Sequence, residues 1–231
     1  MRGATAHHPY RVTPPHPLGA DDPGISVTME SLAERLERAL VRFRSQSADN
    51  VLDEALAAAP ADVVARELIV PLFARIEAGG DPAVIRFAAS LFEIRLLGQA
   101  RGWERIHGPR VALACAPREQ RTLALITLGL GLAARHCRVE YLGGFTPITT
   151  LCEQPEGLTV VAVHDDDLTP PERAALRDLA PALLGRAAPA LAQELGTVAL
   201  PADLNAAAVQ AASLAHERSS RTGDAASPGE R

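Results

Sequence analysis

The pattern of apolar residues changes at residue 109, and this change constrains the fold more than any other feature of the chain. Five short apolar segments follow, and helical stretches separate most of them. Parallel strands need crossover connections, so this alternation predicts a parallel sheet with helices on both faces. The five segments are RVALACA (110–116), CRVEYLG (137–143), LTVVAVH (158–164), ALLGRA (182–187) and TVAL (197–200). The sequence therefore predicts a doubly wound, flavodoxin-like α/β sheet of five strands.

The preceding residues, 27–102, show only helical periodicity. Pro71 predicts a kink or an irregular turn in the third helical stretch, and Asp81 with Pro82 predicts the start of a fourth. Four helices joined by short turns indicate an antiparallel bundle. One face of the first helix carries the apolar residues Leu32, Leu36, Ala39, Leu40 and Phe43.

A further helix, predicted from about residue 119 to 136, is apolar around nearly all of its circumference. Such a helix must be covered on more than one side, so we expect it to lie against both the sheet and the bundle. The bundle and the sheet should then form one rigid unit. The only Trp of the chain, Trp103, is expected in the linker beyond the fourth helix.

These patterns predict a cap-like helical bundle over residues 26–104 and an α/β domain over residues 108–217. Residues 1–25 are rich in Pro and lack periodicity, as do residues 218–231. Both ends are therefore predicted to be disordered tails.

Composition excludes several classes of function. A net charge of −5 argues against direct binding of nucleic acid or of membranes. The three Cys residues share no CxxC spacing, which indicates a reducing compartment without disulfides or a zinc site. No apolar run reaches the roughly 18–20 residues of a membrane span, and no catalytic motif is present. We expect a cytoplasmic protein that is not an enzyme.

The order of the parts and two segments within them resemble the cobalamin (B12)-binding module of methionine synthase and of light-responsive MerR-type regulators. VEYLGGFTP (139–147) is similar to the second strand and following loop of that family. LLGRAAP (183–189) is similar to its fourth strand, whose glycines lie near the cofactor tail. The resemblance covers residues 30–215 and implies a helical bundle that caps the cofactor above a flavodoxin-like domain.

The loop after the first strand departs from the family. The resemblance implies an acid, then a cobalt-binding His two residues later, then a Gly. Here the aligned residues are Glu119, Arg121 and Ala124. A guanidinium has no free lone pair and cannot ligate cobalt, so we expect no base-off, His-on binding of cobalamin. The bundle also departs, because Ile85 and Arg86 stand at the Glu-His positions of the family's upper face.

Crevice residues follow from this alignment and from the carboxyl ends of the strands. Arg121 could bind a phosphate at the helix start, but we favour an ion pair with Glu119 or with one of Asp165 to Asp167 that closes the crevice. His164 is either a substitute metal ligand or a polar loop tip. The predicted cofactor-binding positions are Glu119, Arg121, Ala124, Thr146, His164 and Gly185.

Three functions remain open at this stage. The first is a stand-alone regulatory protein that acts on transcription through a protein partner, such as a transcription factor, or through self-association. The second is a binder or carrier of cobalamin or another tetrapyrrole that uses non-standard contacts. The third is an enzyme with an unrelated small ligand in the crevice, which has the weakest support.

Overall fold

The computed structural model describes residues 28–225, and side-chain environments are described for residues 28–221. The tail predicted over residues 1–25 lies outside the described residues, as do residues 226–231. The last helix runs to residue 225, past the domain end predicted at residue 217. Arg218 explains part of this extension, because it donates to the carbonyl oxygens of Ala180 at 2.6 Å and Gly157 at 3.3 Å.

Four helical stretches form the N-terminal bundle, as the sequence predicts. The irregular turn expected at Pro71 is a π-helical turn that ends just before it, which suits a residue that has no N–H to donate. The elements are α1 (Met29–Val41), α2 (Ser45–Ala58), α3 (Ala61–Val64), the π-helical turn (Ala65–Ile69), α4 (Val70–Gly79) and α5 (Pro82–Gln99).

Phe43 does not belong to the buried face of α1, contrary to the prediction. The helix ends at Val41, and Phe43 has a φ of 51° and is 50% exposed. Its ring lies 5.4 Å from that of Phe87, measured between centroids. The four other predicted residues of this face are buried.

The α/β domain contains the five predicted strands in one parallel sheet of order β2-β1-β3-β4-β5. This is the flavodoxin order, with β1 between β2 and β3. The elements are a 3₁₀ turn (Trp103–Arg105), β1 (Arg110–Cys115), α6 (Leu123–Ala133), β2 (Arg138–Gly143), α7 (Ile148–Cys152), β3 (Leu158–Ala162), α8 (Pro170–Leu179), β4 (Ala182–Leu184), α9 (Ala188–Leu195), β5 (Val198–Ala199) and α10 (Leu204–Ala225). No helix within residues 28–225 is long and apolar enough to cross a membrane.

The two faces of the sheet belong to different layers of the core. Leu113 and Val160 face the layer that contains α6, α10 and the bundle. Val161 and Leu183 face the opposite layer, which contains α7, α8 and α9. Because one continuous core joins the bundle to the sheet, the bundle is fixed above the edge of the α/β domain.

Helix α6 lies between the sheet and the bundle, as its all-round apolar character predicts. Trp103 lies in the linker beyond the fourth helix, as expected, and its side chain is buried against α6. A Cβ added at Gly129 of α6 would lie 2.4 Å from Cη2 of Trp103, so only Gly permits this contact. Thr122, just before α6, donates from its hydroxyl to Glu93 of α5 at 2.9 Å. The linker and the bundle are therefore both packed onto the same helix.

Candidate functional site

The candidate site lies where the carboxyl ends of β1 and β3 meet the bundle. These strands pair directly, from Val111 with Leu158 to Cys115 with Ala162, so the loops that follow them face each other. This juxtaposition confirms the expectation from the flavodoxin order.

Glu119 fastens the two loops together. Its carboxylate is buried, with only 6% of the residue exposed. One oxygen, Oε1, accepts from the backbone N–H of Arg121 at 2.8 Å and from its side-chain Nε at 3.0 Å. The other oxygen, Oε2, accepts from the backbone N–H of His164 at 3.2 Å. These hydrogen bonds join the loop after β1 to the loop after β3, so Glu119 acts here as an internal anchor.

Arg121 forms the ion pair that the sequence predicts. Its guanidinium contacts Glu119 and, through Nη2, Asp165 of the loop after β3. Arg186 donates to the other oxygen of Asp165. The hydrogen bond from Arg121 lowers the pKa of Asp165, and the bond from Arg186 adds to this effect. A single carboxylate is therefore shared by two arginines at the mouth of the site.

The two other acids of the cluster are also paired. Asp166 accepts from Arg173 at 2.6 Å, and Asp167 accepts from Arg118 at 3.0 Å. Arg118 also binds Glu172, and this contact, more than any other, lowers the pKa of Glu172 to about 2. Within the described residues, no group of three or more His, Cys, Asp or Glu side chains could hold a metal ion. Asp165, Asp166 and Asp167 are therefore all engaged in ion pairs with arginines.

A cleft remains open between the bundle and the α/β domain, so Arg121 does not close it. The first part, which we call the polar cavity, has a volume of about 810 Å³. The second, the apolar cavity, has a volume of about 510 Å³. Both volumes lie in the usual range for small-molecule sites. Arg121, Leu123, Phe73 and Glu77 line both parts, so the ion-paired arginine divides the cleft instead of sealing it. The expected closure is wrong because the bundle stands far enough from the two loops to leave space on either side.

The predicted site residues separate into three groups. Arg121, Ala124, His164 and Gly185 line the apolar cavity. Glu119 lines the polar cavity together with Arg121. Thr146 lines neither: it is buried, and its hydroxyl donates to the carbonyl of Gly143 at 3.0 Å. Thr146 therefore stabilises the turn after β2.

Several residues of the cleft escaped sequence reasoning. Arg186 follows Gly185 directly in the LLGRAAP segment, so its position was available as a signal. Phe73 and Glu77 reach the cleft from α4, and no local pattern marks them. Ile85 and Arg86, aligned with the family's upper-face residues, do line the polar cavity. The bundle surface that contains Ile85 and Arg86 therefore faces the cleft.

Two titratable groups beside the cleft have shifted pKa values. Burial lowers the pKa of His164, and the positive charge of Arg121 lowers it further, so both favour the neutral imidazole. Burial raises the pKa of Cys115 to about 12, so its thiol stays protonated and unreactive. Neither group has the partners of an activated nucleophile.

The loop after β1 does not fit a cobalt ligand. Arg121 stands where the resembling family places its His, and a guanidinium that is ion-paired to Glu119 and Asp165 offers no lone pair. Ala124 adds a methyl group to the wall of the apolar cavity at the position of the family's Gly. Cobalt ligation from this loop is therefore excluded by the residues present.

The comparison with solved structures supports the fold through one match. No protein-family model matches the chain, and no curated protein matches it. Among solved structures, the monomethylamine corrinoid protein of Methanosarcina barkeri matches with a TM-score of 0.62 and 15% identity, over 80% of this chain and 99% of that one. A cobalamin-binding protein from Desulfitobacterium hafniense DCB-2 gives a TM-score of 0.38 and 14% identity, over 77% and 96% of the two chains. The methanol:cobalamin methyltransferase complex MtaBC from Methanosarcina barkeri gives 0.39 and 13%, over 80% of each. This chain therefore has the fold of a corrinoid protein, a helical bundle followed by a B12-binding-type α/β domain.

Proposed function

We propose that the chain is a stand-alone regulatory protein that acts on transcription through a protein partner and does not carry cobalamin in the His-on form. One observation carries the proposal: a guanidinium held by Glu119 and Asp165 replaces the cobalt-binding imidazole. A corrinoid carrier needs that ligand to control cobalt chemistry, whereas a regulator needs only the scaffold and a surface. No catalysis is part of the proposal, and the buried Cys115 thiol offers no nucleophile.

An exposed aromatic residue next to the site supports a role in binding a partner. Phe145, in the loop after β2, is 57% exposed and has a φ of 52°, which is unusual for a bulky residue. Its backbone N–H donates to the carbonyl of Glu119 at 2.7 Å, so the same residue that anchors Arg121 also holds Phe145 outward. Exposed aromatic side chains are enriched at protein interfaces. A partner that contacts Phe145 would therefore respond to changes at the crevice.

The test is to identify what the protein binds in its native host. The tagged chain is cross-linked in cells and purified, and co-purified proteins are identified by mass spectrometry. We expect a transcription factor, whose binding to the chain is then measured with purified components. Phe145→Ser should weaken that binding. Phe43→Ser is the matched control, because Phe43 is an aromatic residue of the bundle with 50% exposure against 57% for Phe145. Recovery of a corrinoid methyltransferase instead would contradict the proposal.

A second candidate function is the binding of a tetrapyrrole through non-standard contacts. The observation that favours it is the open apolar cavity, whose walls come from the bundle and the α/β domain and which retains the neutral imidazole of His164. Titration of the purified protein with metal macrocycles, followed by absorption spectroscopy, tests this function separately from partner binding. The two functions are compatible, because a bound ligand could control the partner surface.

A further inference from the structure

His164 occupies a position in which its ring is free to bind a ligand. Its backbone is fixed at the end of β3 by the hydrogen bond to Glu119, and its ring lines the apolar cavity. No residue described by the structure forms a hydrogen bond with that ring. The ring is half-buried, which favours its uncharged form, and a neutral imidazole is the commonest protein ligand for transition metals.

Gly185 makes room for this ring. A Cβ added at Gly185 would lie 3.3 Å from Nδ1 of His164 and 2.5 Å from the carbonyl oxygen of Val163. Its φ of 115° also favours glycine. A larger residue at position 185 would therefore crowd the imidazole, and glycine leaves the ring space beside the cavity.

The surroundings of His164 exclude a bare metal ion. One imidazole supplies a single ligand, and no cluster of three or more metal-binding side chains exists among residues 28–221. The cavity walls are mostly apolar, with Phe73 and Ala74 from the bundle and Leu184 and Pro189 from the α/β domain. A metal bound here must bring its other ligands with it and must present an apolar face to the protein.

We infer that the imidazole of His164 is an axial ligand for a metal macrocycle that has an open axial position and no nucleotide tail. This inference rests on the second candidate function, the binding of a tetrapyrrole in the crevice. The tail is excluded because the side chain of Arg121 spans the two loops between Glu119 and Asp165, and Ala124 adds a methyl group beside it. The ligand nitrogen has moved from the loop after β1 to the loop after β3, its neighbour in the sheet.

The experiment is an absorption titration of the full chain with three probes: haemin, aquacobinamide and hydroxocobalamin. The first two lack the nucleotide tail, and they separate an iron porphyrin from a corrin as the source of the metal. We expect one of them to bind with the spectrum of an imidazole-ligated metal, and we expect no such spectrum with hydroxocobalamin, because its tail is excluded. His164→Ala should remove that spectrum and weaken binding by at least about tenfold. His107→Ala, at an exposed histidine of the linker, is the matched control and should behave like the wild type.

The outcomes distinguish the role of His164 from the tetrapyrrole-binding function on which it rests. If neither tailless probe binds the wild-type protein, both the inference and the tetrapyrrole function are wrong, and the partner function is unaffected. If a probe binds but His164→Ala leaves its spectrum unchanged, the tetrapyrrole function stands and the assignment of His164 is overturned. If His164→Ala impairs folding by circular dichroism, His164→Gln takes its place. Recovery of the ligated spectrum by added imidazole in either variant supports direct ligation, and no recovery in a folded variant that still binds the probe counts against it.

Discussion

Substitution of Gly129 by Ala tests how closely the linker and the sheet enclose α6. The new Cβ would lie 2.4 Å and 2.6 Å from two ring carbons of Trp103 and 3.0 Å from Cδ1 of Leu113. Contacts this short force a side chain or the helix to move, and overpacking of this kind costs about 1–3 kcal/mol. Ala is also favoured over Gly inside a helix by about 0.8–1 kcal/mol, which opposes the loss.

A second glycine, Gly98, separates the cost of overpacking from the gain in helix propensity. Gly98 lies in α5, and no atom would come within 4 Å of a Cβ placed there. Gly98→Ala should therefore show only the gain in helix propensity, and we expect it to stabilise the protein. The propensity term is common to both variants, so Gly129→Ala should be less stable than Gly98→Ala by about 1–3 kcal/mol, the overpacking cost alone.

The assay is urea denaturation of both variants, followed by the fluorescence of Trp103. This residue is the only Trp of the chain and is 5% exposed, so its emission reports the contact under test. We expect a lower midpoint for Gly129→Ala than for Gly98→Ala and a native emission shifted towards that of an exposed indole. Equal midpoints with unchanged native emission would refute the packing of Trp103 on α6.

Three further predictions concern the cleft, the unity of the chain and its response to acid. In a His164→Ala background, Arg121→His should gain binding of hydroxocobalamin with an imidazole-ligated spectrum, because the cleft is still open, whereas Arg121→Ala should not. Identical titrations of these two double variants would show that a histidine at position 121 cannot reach the metal. Leu128→Asp should lower the free energy of unfolding, measured by urea denaturation, by several kcal/mol, because Leu128 is fully buried and the new carboxylate would have no partner there. If the separate fragments 26–104 and 108–220 were both folded and monomeric and did not bind each other, the bundle and the α/β domain would not form a single unit. Arg118 lowers the pKa of Glu172 to about 2 in the folded chain, so the carboxylate stabilises the fold above its unfolded pKa, and this contribution is lost as the pH falls towards 2. Denaturation at several pH values should therefore show a smaller acid-induced loss of unfolding free energy for Glu172→Gln than for the wild type. An equal loss would exclude this carboxylate as its source.

The sequence by itself determined the architecture. Strand segments with apolar cores, spaced by helices, allow only a parallel sheet covered on both sides, and all five strands follow. The apolar circumference of α6 required two neighbouring layers, which are the sheet and the bundle. The pairing of Arg121 with Glu119 and Asp165 also followed, because the strand order places those two loops side by side.

Local patterns failed where the outcome depended on distant contacts. Phe43 continues the apolar spacing of α1, yet the helix ends two residues earlier, and the chain turns back into α2. Trp103 lies outside any periodic segment, yet it is buried because Gly129, far along the chain, leaves a space for its ring. Thr146 belongs to a family-like segment, but its hydroxyl is used within its own turn.

The state of the cleft was decided only by the tertiary structure. The ion pair of Arg121 is encoded by residues in two neighbouring loops, but whether it closes the crevice depends on the distance to α4 and α5. That distance is set by the shared core of α6 and the bundle, which no single segment of sequence specifies. The same packing leaves His164 beside an apolar cavity. The spacing between the bundle and the α/β domain therefore decides which ligands the site can accept.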